Sequence, residues 1–203
     1  VGHGLTFLTP VFVDPYQLPG LDVPAFSVWG KPADCTKIGT DVLAGFHPEL
    51  VVSGINRGGN LGTDVMPSGT VSAALEAVVM GIPALAVSLQ SFLDRNYDCA
   101  AAYAVELVRY MERRPTPKGI LLSLNVPDLP REEVKGLKLA PLDSMSFDFS
   151  YKRYTDPLGR PFYWLMSDWE TRQALKEEPR TDRQWVAAGY ATVTPIKMDW
   201  TSY

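Results

Sequence analysis

Between Ser53 and Thr70 the chain reads SGINRGGNLGTDVMPSGT, and most of its chemistry-bearing residues lie in that stretch. Asn56 and Asn60 stand four apart among glycines. An asparagine carbonyl can ligate a hard cation such as Mg²⁺, and its amide can donate to a phosphate oxygen; Asn60 could do either. Ser68 and Thr70 offer hydroxyls, and Gly69 between them lets a ligand come close to the main chain. If a helix begins here, its first N–H groups and positive dipole end face the same point. That combination suits an anion, phosphate foremost. Ser68 alone would be an ordinary helix cap; the whole constellation points to binding. Asp64 is the loop's one carboxylate and reads as a turn residue rather than a metal ligand. Arg57 either holds phosphate or is solvated.

Other chemistry finds little support. There is no GxxxxGK[ST], no GxGxxG, no GxSxG and no HExxH. Of the two histidines, His47 reads as a surface turn residue, and His3 sits in a flexible-looking loop from which it could reach a ligand. Cys35 and Cys99 form no CxxC pair and are expected to be free thiols in a reducing compartment. A pI near 5.2 with scattered Lys and Arg argues against a nucleic-acid polymer as partner. No apolar run reaches about 18 residues and no signal peptide is visible, so no membrane partner and a cytoplasmic location are expected.

The elements that would position the loop can be read from periodicity. PELVVSGI reads as a buried, near-continuous strand, and PALAVSL and GILLSLNVP as further strands. SGTVSAALEAVVMG is a helix with Val71, Ala74, Leu75, Val78 and Val79 on one stripe, stopped by Gly81 and Pro83. DCAAAYAVELVRYMERR is another helix, and KPADCTKIGTDVLAGF an earlier one, with Ala33, Ile38, Val42 and Leu43 on one face. LTFLTPVFV, broken by Pro10, reads as a short or edge strand, and AFSVWG as a strand. Strands alternate with helices at the spacing of βαβ units, which implies an α/β fold with a parallel sheet. Residues 1–130 are read as this core. Residues 131–203 are read as a β-rich extension, with an aromatic hairpin at about 145–170 turning at Asp156-Pro157-Leu158-Gly159. That hairpin either packs on its own domain or makes a subunit contact.

These motifs resemble the signature of the SurE family (survival protein E), metal-dependent 5′/3′-nucleotidases. The resemblance rests on SGINRGGNLGTDVMPSGTVSAALEAVVMGIPALAVSL and continues in GKPADC, LSLNVPDLP and GYATVTPI, spanning nearly the whole chain in the family's order. It implies a Rossmann-like, mostly parallel sheet with helices on both faces, a projecting hairpin and a C-terminal subunit-exchange region. It implies one divalent cation per subunit, Mg²⁺ or Mn²⁺, with Asn56 as a ligand. Phosphate contacts would come from Asn60, Ser68, Gly69 and Thr70. Substrates would be nucleoside 5′- and 3′-monophosphates, with short polyphosphate as a further one, and the assembly a homodimer or homotetramer.

The family's opening Asp-Asp-Gly strand and its metal-binding serine have no counterpart here; VGHGLT resembles the family's segment immediately C-terminal to that serine. The catalytic aspartates are therefore expected before Val1, and the family's C-terminal helix after Tyr203. The absence of those carboxylates keeps a second reading open, a non-catalytic phosphate-binding or assembly module. A transferase using a nucleotide-linked donor is a weaker third.

Overall fold

A computed structural model describes residues 2–91, 97–144, 149–167, 179–199 and 201. Its centre is a five-stranded sheet in the order β3 (Val51–Arg57), β4 (Ala84–Gln90), β5 (Ile120–Pro127), β9 (Ala191–Lys197) and β6 (Leu137–Leu139). β3, β4 and β5 run parallel; β9 enters antiparallel to β5, and β6 pairs parallel to β9. Helices cover both faces, as the α/β pattern requires. α2 (Gly69–Val79) packs on one face through Val71, Ala74, Leu75 and Val78, against Ala84, Ala86 and Leu121. α3 (Tyr97–Arg113) covers the other through Cys99, Tyr103, Leu107 and Met111, against Leu85, Val87, Leu122, Leu124 and Val193. Val79, expected on the buried stripe of α2, is instead exposed. Ser68 caps α2 by accepting from Val71 N–H at 3.1 Å. Gly81, at φ +82°, closes it with Gly81 N–H on Val78 O and Ile82 N–H on Ala77 O.

Three further departures from the sequence reading have physical reasons. β3 is not uniformly buried: Val52 is 49% exposed, because among the described residues β3 pairs only with β4 at the edge of the sheet. The first strand is not LTFLTPVFV; β1 (Val13–Tyr16) starts only after Pro10 and pairs antiparallel with β2 (Ala25–Val28) in a separate ribbon. The early helix runs as α1 (Pro32–Ile38) and then widens into π-type turns over Gly39–Leu43, which rotates Val42 outward. α1 lies beside α2 and is fixed to it by Thr36 Oγ1 donating to Ala73 O at 3.0 Å.

The extension after 130 shares the core sheet, since β9 lies between β5 and β6. From it project β7 (Phe149–Thr155) and β8 (Pro161–Ser167), antiparallel and turning at Asp156–Gly159. Residues 145–148 and 168–170 of the expected hairpin lie outside the described residues. Tyr151, Tyr163 and Trp164 on this arm are all exposed. A six-residue helix, α4 (Asp182–Ala187), leads back into β9 and is opened by Thr181 and Gln184.

Candidate functional site

The α2-facing side of the sheet changes character along its strands. At the start of β4 and β5 it is apolar, with Ala84, Ala86 and Leu121. Nearer the carboxyl ends, the same alternation brings up Ser88, Ser123 and Asn125, and on β9 Thr192 and Thr194. One transverse row runs Asn56, Ser88, Asn125, Thr192 across four strands in register. Polar side chains this deep need partners; the loop after β3 supplies them to Asn125 and Ser88, while the Thr192 and Thr194 hydroxyls make no hydrogen bond among the described residues. Asn125 is fully buried; its Oδ1 accepts from Asn60 N–H at 2.8 Å and its Nδ2 donates to Asn60 O at 3.1 Å. Asn60 Nδ2 in turn donates to Ser88 Oγ at 2.6 Å. The loop main chain is thereby pinned to β5 and its side chain to β4.

Gly54 makes the approach of β3 possible. It sits at φ +130°, and a Cβ there would stand 2.4 Å from Val87 O, so no other residue fits. The β3–β4 register shifts between Ser53 and Asn56, a bulge that re-aims Asn56 at the strand end. Asn56 Nδ2 donates to Gly58 O at 2.7 Å, which leaves its carbonyl oxygen as the end that could meet a cation.

From the other side the loop is held by α4. Asp182 is fully buried, and its Oδ2 accepts from Gly62 N–H at 2.8 Å. Arg183 donates to Leu61 O and to Asp64 Oδ2, both at 2.9 Å. Asp64, in the single 3-10 turn Gly62–Val65, is therefore ion-paired to Arg183 of α4. Burial lifts the Asp64 carboxyl above its ordinary range, and this outweighs the lowering effect of Arg183.

The sequence-expected residues divide accordingly. Ser68, Gly69 and Thr70 come together at the first turn of α2, at the carboxyl end of the sheet where open α/β folds bind ligands. With the Ser68 oxygen engaged by Val71 N–H, its hydroxyl proton remains a donor, and the helix itself offers no acceptor to the N–H groups of Gly69 and Thr70. Asn60 lies in the network beneath the loop, and Asn56 at the end of β3. Asn125, Ser88, Asp182 and Arg183 were missed by the sequence reading. An asparagine in the middle of the apolar run LLSLNV was the one available signal for Asn125. Asp182 and Arg183 carried none.

His3 is exposed, while the next residue, Gly4, donates N–H to Ser72 Oγ at 3.3 Å, one turn beyond the Ser68 cap. His47 is exposed in its turn. Cys35 and Cys99 are free, and burial raises both thiols, so neither is an activated nucleophile. A groove of about 510 Å³ lies between α1, β3 and α2, but its lining includes Gly54 and Ala73 and no residue of 56–70. Among the described residues no three His, Cys, Asp or Glu side chains gather as a metal site. For Mg²⁺ or Mn²⁺ the donor type of Asn56 fits, whereas a single neutral oxygen is far short of a hard cation's coordination number. No helix among them is long and apolar enough to cross a membrane.

The family model "Survival protein SurE" matches residues 1–148. A protein of Symbiobacterium thermophilum named 5′-nucleotidase SurE is 41% identical over 202 residues, covering 100% of this chain and 78% of its own. One of that name from Thermosipho africanus is 38% identical, covering 98% and 76%. The crystal structure of the SurE protein from Aquifex aeolicus superimposes with a TM-score of 0.82 at 36% identity, covering 100% of this chain and 79% of that one.

Proposed function

The chain belongs to the SurE family, and on that footing we propose that it is a nucleotidase, hydrolysing nucleoside monophosphates to nucleoside and phosphate. The observation that carries the reading is that Ser68-Gly69-Thr70 open an eleven-residue helix at the carboxyl end of the parallel strands β3, β4 and β5. The N–H groups of Gly69 and Thr70 and the hydroxyls of Ser68 and Thr70 bind the phosphate oxygens. They also stabilise the charge spread over the transferring group. Asn60 fixes the cradle from below and has a second amide proton to offer. Donors that read only phosphate oxygens suit 5′- and 3′-monophosphates and short polyphosphate alike.

A divalent cation, Mg²⁺ or Mn²⁺, belongs to the proposal, with the Asn56 carbonyl as one ligand and the others from outside the described residues. When bound it would supply charge neutralisation and a polarised water. The exposed aromatic arm supports a homodimer or homotetramer as the working unit, and a cytoplasmic location completes the proposal. A second reading is a phosphate-binding or assembly module without catalysis. Steady-state kinetics on the product of the complete gene separates the two. Thr70→Ala is expected to lower kcat/KM for a nucleoside 5′-monophosphate roughly tenfold or more. No turnover by the parent protein, with inorganic phosphate still bound, would favour the module.

A further inference from the structure

The loop between β3 and α2 has little internal structure of its own. It contains Gly58, Gly59 and Gly62, and its only regular piece is the single turn Gly62–Val65. Its shape therefore depends on ties from outside. On one side these come from Asn125 and Ser88. On the other they come from two consecutive residues of α4, which lie about 120 positions away in sequence and reach Leu61, Gly62 and Asp64.

Asp182 is the unusual member. A carboxylate with no exposed surface is tolerated only when its oxygens are fully occupied by donors. Here three main-chain N–H groups from three segments converge on it. Oδ2 takes Gly62 N–H at 2.8 Å, while Oδ1 takes Asp143 N–H at 2.8 Å and Arg183 N–H at 2.7 Å. In sequence Asp143 precedes β7 and Asp182 follows β8. Two more bonds join the same two segments: Thr181 Oγ1 to Asp143 Oδ2 at 2.6 Å, and Asp182 N–H to Pro141 O at 2.9 Å. Hydrogen bonds to a charged acceptor are about twice as strong as neutral ones. One buried acid thus joins the loop that precedes the anion cradle to the segment at Asp143.

We propose that Asp182, assisted by Arg183, is a positioning residue for phosphate binding, and that it makes the segment at Asp143 and the geometry of the cradle a single unit. This rests on the loop and α2 being the phosphate site. Neither residue touches the substrate; they act through Gly62, Leu61 and Asp64.

The test uses the product of the complete gene, in Mg²⁺-containing buffer, with inorganic phosphate as the probe. Asp182→Asn keeps one acceptor oxygen but gives up the second, so either Gly62 or Asp143 must be released. Arg183→Leu cuts the ties to Leu61 and Asp64 and is read alongside, so that a folding failure of the first variant leaves the proposal testable. Thr70→Ala checks the phosphate site independently. Phosphate affinity by calorimetry is expected to fall roughly tenfold in the Asp182 and Arg183 variants. Hydrogen exchange is expected to accelerate over 58–66 and stay unchanged in β4 and β5, a local signature that a purely global stability loss would not give. Thr70→Ala should weaken phosphate binding without accelerating exchange over 58–66. Wild-type phosphate affinity in Asp182→Asn and Arg183→Leu, with Thr70→Ala weakened, would overturn the positioning role alone. Wild-type affinity in Thr70→Ala as well would overturn the phosphate site with it.

Discussion

Asn56 and Asp64 both lie in the loop segment and could each donate an oxygen, yet their surroundings differ. Asn56 has its nitrogen tethered to Gly58 O and its carbonyl oxygen available. Asp64 is engaged by Arg183 and pushed by burial toward its neutral form. A cation seeks an unengaged, hard oxygen. Asn56→Ala is therefore expected to raise the Mg²⁺ or Mn²⁺ concentration needed for half-maximal hydrolysis by roughly 10–100-fold. Asp64→Ala should change it by much less. A metal titration that gives the reverse order would show that Asn56 is the wrong ligand. Asn56, Ser68, Gly69 and Thr70 stand within one short window, so residue type alone singles them out as candidates. Asn125 and Asp182 could not be singled out in that way, because what makes them important is the backbone they meet from about 65 and 120 positions away.

At the scale of elements, α2 was legible almost to the residue, since a serine cap, an i, i+3, i+4 stripe and a terminal glycine are local signals. β3 was legible as a strand but not as an exposed edge, because neighbours in a sheet are decided by topology rather than by local pattern. α1 illustrates a third case. Asp34, read only as part of GKPADC, caps the helix by accepting from Lys31 N–H at 2.7 Å and holds the preceding segment through Thr6 N–H at 2.8 Å and Thr6 Oγ1 at 2.6 Å. Burial alone would raise this carboxyl, but the bonds from Thr6 and Lys31 outweigh it and hold it below the ordinary range. A depressed folded-state pKa stabilises the fold fully above the unfolded pKa, and that stabilisation is lost as pH falls through the folded value. Asp34→Ala is thus expected to lower the melting temperature at neutral pH by roughly 3–6 °C. The gap to wild type should narrow once the pH drops below about 4. A gap that holds constant down through the acid limb would remove the carboxylate from the account.

At the scale of the molecule, the sheet draws its strands from Val51 through Lys197, so the β-rich extension supplies part of the scaffold on which the loop rests. The arm's turn was legible from Asp156-Pro157-Leu158-Gly159, a local code. The antiparallel entry of β9 beside β5 was not, because ATVTPI alternates in the same way whichever direction its neighbour runs. The match of the family model to residues 1–148 and the TM-score of 0.82 put the α/β core within one family. What the molecule does with that core turns on one central claim, that it is a cation-requiring nucleotidase built around the first turn of α2. The most direct measurement is phosphate release from a nucleoside 5′-monophosphate by the purified product of the complete gene, with Mg²⁺ or Mn²⁺ added and again after exhaustive chelation. The expected result is steady release with the cation, loss of release on chelation, and recovery when the cation is restored. Release that survives chelation undiminished, or no release with either cation, would contradict it.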